Sequence, residues 1–133
     1  MILVDTSVWI AYLRGTDSPA AEQLNGLIAE GADLAITEPV IMELLAGAAR
    51  PRERARVEVL TNGLPLIGID PVGDFRDAAD LYRASALNGH PIRSMTDCLI
   101  AAVAIRSDVA LLHGDRDFEF LAEVSPLRLC PTE

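Results

Sequence analysis

The strongest constraint on this chain lies at its very start. Ile2, Leu3 and Val4 form a short apolar run rich in β-branched side chains, the pattern of a strand buried on both faces. Asp5 follows directly. Ser7–Arg14 then reads as a helix, closed by Gly15 at the usual stop position. Asp5 therefore falls at the carboxyl end of a buried parallel strand, the end at which open α/β sheets bind their ligands. The same residue is equally suited to be only the N-cap of the helix. Its own segment does not decide between the two.

The rest of the chain repeats the strand–helix alternation. Ser18-Pro19 opens a helix that runs to about Glu30 and stops at Gly31. Leu34-Ala35-Ile36 is a short strand, and Thr37-Glu38-Pro39 starts a helix through Leu45 to Gly47. Arg52 to Thr61 reads as another helix. Leu64 to Ile69 is a strand weakened by Pro65 and Gly68, which suits an edge. A long helix covers Gly73 to Leu87, and another begins at Ser94-Met95-Thr96-Asp97 and is apolar all round. Val109 to Leu112 is a buried strand, His113 to Asp117 a loop, Phe118 to Ala122 a short helix, and Leu127 to Cys130 a last edge strand. This order predicts an α/β fold, a central mostly parallel sheet flanked by helices on both faces. There is no repeat, low-complexity run or linker, so residues 1–133 are expected to form a single domain.

No apolar run approaches the roughly 20 residues that span a bilayer, and no basic region precedes the first strand. Cys98 and Cys130 make no disulfide framework; a reducing cytoplasm is the expected location. The formal net charge is −9. That argues against holding nucleic acid by general electrostatics, but not against a nuclease whose metal ions neutralise its site. All eleven basic residues are Arg. The absence of Lys excludes a phosphate-loop lysine and Schiff-base chemistry.

Carboxylates recur at places like that of Asp5. Asp97 heads the buried helix, although Ser94-x-x-Asp97 also fits a capping box. Asp115 and Asp117 follow a buried strand, although acidic residues are common in turns. Glu43 sits among Val40, Ile41, Leu44 and Leu45, at the margin of their buried arc, where it either faces a site or simply reaches solvent. Gly47, one turn on, leaves room beside it. In a doubly wound sheet these groups converge on one end. Clustered carboxylates repel unless a cation lies among them. Oxygen-only ligands favour Mg²⁺ or Mn²⁺ over zinc, and such a site suits phosphodiester hydrolysis.

Four segments, Asp5-Thr6-Ser7-Val8-Trp9-Ile10, Glu43-Leu44, Thr96-Asp97-Cys98-Leu99-Ile100-Ala101-Ala102 and Gly114-Asp115-Arg116-Asp117-Phe118, resemble in content and order the motifs of PIN domains. More closely they resemble the VapC-type toxins of bacterial VapBC toxin–antitoxin modules. The resemblance implies the PIN-like three-layer sandwich and a Mg²⁺- or Mn²⁺-dependent endoribonuclease acting on RNA. It carries catalytic and metal-ligand roles onto Asp5, Glu43, Asp97 and Asp115, with Asp117 as a fifth ligand. Thr6 would orient a carboxylate or a water. A cognate VapB-type antitoxin, seated in a groove between the early helices, and a homodimer are implied as well.

His113 departs from the family, which often has Thr or Ser there. It either hydrogen-bonds a carboxylate or phosphate, or merely ends the strand. His90, in a loop beside Pro91, reads as surface. Arg50, Arg52, Arg54 and Arg56 form the basic cluster, for RNA phosphates or for a salt-bridged helix with Glu53 and Glu58. Arg116 is suited to a phosphate, to the partner or to a neighbouring carboxylate. Two rival readings remain. A non-catalytic partner-binding module would keep the fold without the chemistry. A receiver-like signalling domain would use Asp70-Pro71 as its acceptor, but it needs an acidic pair after the first strand and a lysine after the last.

Overall fold

The computed structural model describes residues 1–131. β1 (Ile2–Val4) is the middle of a three-stranded parallel sheet, between β2 (Leu34–Ala35) and β3 (Ala110–Leu112). Ile2 stands opposite both Leu34 and Ala110, and Val4 opposite Leu112. Leu3, Val4, Leu111 and Leu112 are buried, as a strand covered on both faces requires. Seven helices surround this sheet among the described residues: α1 (Thr6–Arg14), α2 (Pro19–Ala29), α3 (Glu38–Gly47), α4 (Pro51–Asn62), α5 (Asp74–Leu87), α6 (Met95–Ser107) and α7 (Arg116–Glu123).

Two expected strands shrink. The stretch 64–69 pairs only through Ile36 and Leu66, and 127–130 only through Leu111 and Leu129, each as a single parallel bridge. Pro65 has no N–H to give the ladder; its carbonyl accepts from Ile36 at 3.0 Å. The next N–H that would continue the ladder, that of Ile69, donates instead to the Glu38 carboxylate at 2.9 Å. Pro126 and Pro131 bracket the second stretch in the same way. α7 starts at Arg116, earlier than the sequence suggests, because Asp115 caps it.

β2 follows β1 on one side and β3 joins it on the other. The winding direction therefore reverses at β1, and the crevice lies between the carboxyl ends of β1 and β3. The Asp5 N–H donates to the Leu112 carbonyl at 3.0 Å, so the two strands are zipped to their last residues. Asp5 and the loop at 113–115 leave the sheet side by side. α6 packs against β3, α3, α5 and α7 and buries Cys98 and residues 100–104. Its first turn meets the same crevice.

The other end of α6 carries a different acidic contact. Arg106 grips the buried Asp74 carboxylate with Nε and Nη2 at 2.8 and 2.9 Å, and Asp70 gives its N–H to Asp74 at 2.8 Å. Burial raises the Asp74 pKa, but the Arg106 bonds, the Asp70 N–H and the Arg106 charge together outweigh it and hold the carboxyl below its ordinary range. Arg106 is nine residues beyond Asp97, about 13 Å along the helix. The Asp70 loop is thus tied well away from the Asp5 crevice, against the receiver-like reading.

The pair is asymmetric: Asp74 is fully buried, whereas the Arg106 side chain is 37% exposed. Arg106→Ala strands a carboxylate without water and should cost about 3 kcal/mol. Asp74→Ala leaves a guanidinium that still reaches solvent and should cost about 1 kcal/mol. Urea denaturation of both variants checks the order; equal losses would contradict the burial argument.

Candidate metal centre

Each acidic residue is positioned by its own piece of backbone. Asp5 is the N-cap of α1 and also the residue that leaves β1 at the crevice. Its Oδ1 accepts the Val8 N–H at 3.2 Å, and the Ser7 hydroxyl donates to its two oxygens at 3.1 and 3.0 Å. Capping fixes the carboxylate where the crevice needs it, so the two uses do not compete. Asp115 caps α7, with Oδ1 accepting the Asp117 N–H at 3.0 Å. The turn expected at 115–117 is present and aims two carboxylates the same way. Asp97 lies in the first turn of α6, and Ser94 makes no side-chain cap bond. The capping box does not form.

Asp97, Asp115 and Asp117 each offer an oxygen within 4.8 Å of the others. Glu43, half-buried on α3, is held by the Thr6 hydroxyl, which donates to Oε1 at 2.5 Å. The loop at Gly114 passes close to α1 and α2: a Cβ there would stand in ordinary contact, 3.4 Å from the Ser7 hydroxyl oxygen and 3.8 Å from the Ala20 methyl.

The carboxylates feel one another. Burial pushes the Asp5 pKa up to about 7; its bonds to Val8 and Ser7 lower it, and the charges of Asp97 and Asp115 raise it further. Burial also raises Asp97 to about 6, with Asp115, Glu43 and Asp117 adding repulsion and Arg93 relieving some. The neighbouring Cys98 thiol is pushed up to about 11, first by burial and then by Asp97 and Asp117. It stays a thiol and adds no ligand. What remains is an all-oxygen donor set, the kind that hard divalent cations take. Its close-set members, Asp97, Asp115 and Asp117, come from α6 and from the loop after β3 as it enters α7, while Asp5 and Glu43 lie outside that 4.8 Å group.

Sequence reasoning missed Arg93. Its Nη2 donates to Asp115 at 3.4 Å, its Nε to Asp117 at 3.5 Å and its main-chain N–H to Asp117 at 3.3 Å. The available signal was an arginine just ahead of the helix that bears Asp97. His113 accepts the Asp115 N–H on Nδ1 at 3.2 Å, which leaves Nε2 to carry the proton of the neutral ring. Arg116 forms no ion pair among the described residues; its guanidinium lies 5.7 Å from the Phe120 ring centroid. His90 is not a free surface residue. It is half-buried and stacks on Phe120 at 4.0 Å. In the basic cluster Arg50 pairs with Glu53 at 3.9 Å and Arg54 with Glu58 at 3.7 Å, all exposed, so this part of α4 is a salt-bridged surface. Arg52 is exposed on the same helix, away from the carboxylates' hydrogen bonds.

Two cavities flank the cluster. One of about 380 Å³ lies between α1, α3 and α4; it reaches Glu43 and has Ile10, Leu13, Leu44 and Val57 in its walls, with Arg14 and Arg56. The other, about 580 Å³, lies between α1, α2 and the 113–116 loop and reaches Asp115 and Ser7.

The family model described as PIN domain matches residues 2–124. The chain belongs to the PIN-domain family. This PIN domain is 44% identical over 129 residues to Ribonuclease VapC11 of Mycobacterium tuberculosis, covering 96% of both chains. It superimposes on VapBC2 from Rickettsia felis, solved bound to a DNA fragment from their promoter, with a TM-score of 0.76 at 20% identity, covering 97% of both chains. The corresponding values for VapBC-5 from Mycobacterium tuberculosis are 0.66 and 26%, with 96% and 94% covered.

The carboxyl groups set a pH dependence for the metal-free PIN domain. Asp5 and Asp97 have folded pKa values of about 7 and about 6, both above the ordinary 3.8. Between those limits the folded state binds more protons than the unfolded chain, so stability falls as pH rises. In chelator, melting temperature should drop from pH 5 to pH 8, with a smaller drop for Asp97→Asn. A melting temperature that rises over that interval would contradict the crowding of charge.

Proposed function

We propose that this PIN domain is a Mg²⁺- or Mn²⁺-dependent endoribonuclease and the toxin of a toxin–antitoxin pair. The single observation that carries the reading is the convergence of Asp97, Asp115 and Asp117 within 4.8 Å, in a chain 44% identical to a VapC ribonuclease. In this reading Asp97, Asp115 and Asp117 hold the cation, with Asp5 at the rim of the same pocket. Once bound, the cation neutralises charge on the phosphate and acidifies a water. Glu43, fixed by Thr6 and close enough to Asp97 to raise its pKa, would orient that water. Single-stranded or looped RNA enters such a crevice more readily than a stacked duplex. Attack of the water on phosphorus with the 3′-oxygen as leaving group gives a 5′-phosphate and a 3′-hydroxyl, the outcome that the resemblance to VapC-type toxins implies.

The cavity at Glu43 suits the antitoxin. Its apolar walls accept an amphipathic segment, and a basic residue on that segment meets a carboxylate at the end of the groove. Such a partner would fill the site with a cation of its own, which makes inhibition a matter of charge as much as of shape.

The test is cleavage of single-stranded RNA in Mn²⁺. Activity should vanish in excess chelator and fall about 100-fold or more in Asp97→Asn, while Thr6→Val, which frees Glu43, should lose about 10-fold. Undiminished cleavage in chelator would exclude the mechanism. A purified chain that cleaves no RNA in either metal would favour the non-catalytic binding module.

A further inference from the structure

We propose that Arg93 is a catalytic residue of this site: its guanidinium binds the scissile phosphate of the RNA. The inference rests on the ribonuclease reading above. Among the described residues, Arg93 is the basic side chain that makes ion pairs with the acidic cluster. It touches Asp115 and Asp117, two members of the group that suits a cation. A phosphate drawn to a cation among these carboxylates therefore arrives beside a guanidinium already in place.

The alternative is that Arg93 only clamps the carboxylates. The geometry speaks against it. The side chain is 79% exposed and its contacts are long, 3.4 and 3.5 Å. Ion pairs that exposed hold little. The carboxylates are also positioned without the guanidinium. Asp117 accepts the Arg93 main-chain N–H at 3.3 Å, and Asp115 accepts the Asp117 N–H at 3.0 Å. Main-chain donors survive any substitution of the side chain except proline. A guanidinium has five N–H donors in a planar fork, and here one N–H on Nε and one on Nη2 are engaged. The others are available to a phosphate, which the fork matches in two-pronged fashion.

Charge gives the second argument. The chain carries a formal net charge of −9 and gathers Asp5, Glu43, Asp97, Asp115 and Asp117 where the polyanion must come closest. Arg50 and Arg54, at the start of α4, pair with Glu53 and Glu58 and form no ion pair with the acidic cluster. Arg116 leans on Phe120 instead of the cluster. Arg93 is the cation that meets the substrate at the site itself. Moving from carboxylate to phosphate costs it little, because a cation among Asp97, Asp115 and Asp117 weakens the carboxylates' hold on it.

Three proteins decide the matter: the parent, Arg93→Ala and Arg93→Lys. Single-turnover cleavage of a short single-stranded RNA is measured in saturating Mn²⁺, and Mn²⁺ binding to the metal-free proteins by calorimetry. Arg93→Ala should lose about 100-fold in cleavage rate over RNA affinity. Arg93→Lys keeps the charge without the fork and should recover about 10-fold of that loss. Mn²⁺ should bind Arg93→Ala as tightly as the parent or tighter, since a competing cation is gone. Parental cleavage by Arg93→Ala would overturn the proposal. So would a loss that comes with weakened Mn²⁺ binding and is restored by more Mn²⁺, the result of a clamp. If the parent itself cleaves no RNA, the ribonuclease reading fails separately. Mn²⁺-dependent binding of the same RNA, read by fluorescence anisotropy, then decides: weaker binding to Arg93→Ala supports the phosphate contact, and equal binding overturns it.

Discussion

Like charge held together at the carboxyl end of β1 is the constraint on which the rest of this structure turns. Repulsion alone would drive Asp5, Asp97 and Asp115 apart. They stay because each is tied by backbone that has another reason to be there. Asp5 and Asp115 cap α1 and α7, and Asp97 rides on the buried helix α6. The sheet register completes the arrangement, since Asp5 and Leu112 are joined by a main-chain bond at 3.0 Å. Packing and capping thus hold an electrostatic arrangement that is unfavourable by itself. The pKa values of Asp5 and Asp97 are raised chiefly by burial, and the neighbouring carboxylates add to the rise. A cation bound here would offset both the lost hydration and the repulsion.

The two acidic regions along α6 show how environment assigns the use of a carboxylate. Asp74 is fully buried yet held below its ordinary pKa, because Arg106 meets it in two-pronged fashion. Asp97 is raised, first by its burial and then by the carboxylates around it, because its nearby cation, Arg93, contacts Asp115 and Asp117 instead of offering it a direct bond. One end of the helix is a closed structural tie and the other an open demand for positive charge. The chain, the RNA chemistry proposed for it and a basic antitoxin segment would all answer that same demand.

Much of this was legible in the sequence, for identifiable reasons. β1 and β3 are apolar runs buried on both faces, and α6 is apolar all round, so local composition alone announces them. Their ends mark Asp5, Asp97, Asp115 and Asp117. The bridges at Leu66 and Leu129 were less legible, because whether a short edge extends depends on which main-chain groups side chains claim, as the Glu38 carboxylate claims the Ile69 N–H. Arg93 offered only its place just ahead of α6. Its contacts to Asp115 and Asp117 span 22 and 24 residues, and only the tertiary fold brings those loops together. The stacking of His90 on Phe120 escaped for the same reason.

The central claim is that these carboxylates form one cation site. Anomalous diffraction from crystals grown in Mn²⁺ tests it most directly. The account predicts a manganese peak bounded by the carboxylates of Asp97, Asp115 and Asp117, with oxygen distances of about 2.1 Å. Density empty of metal at this place in saturating Mn²⁺, or a peak held by other residues, would contradict it.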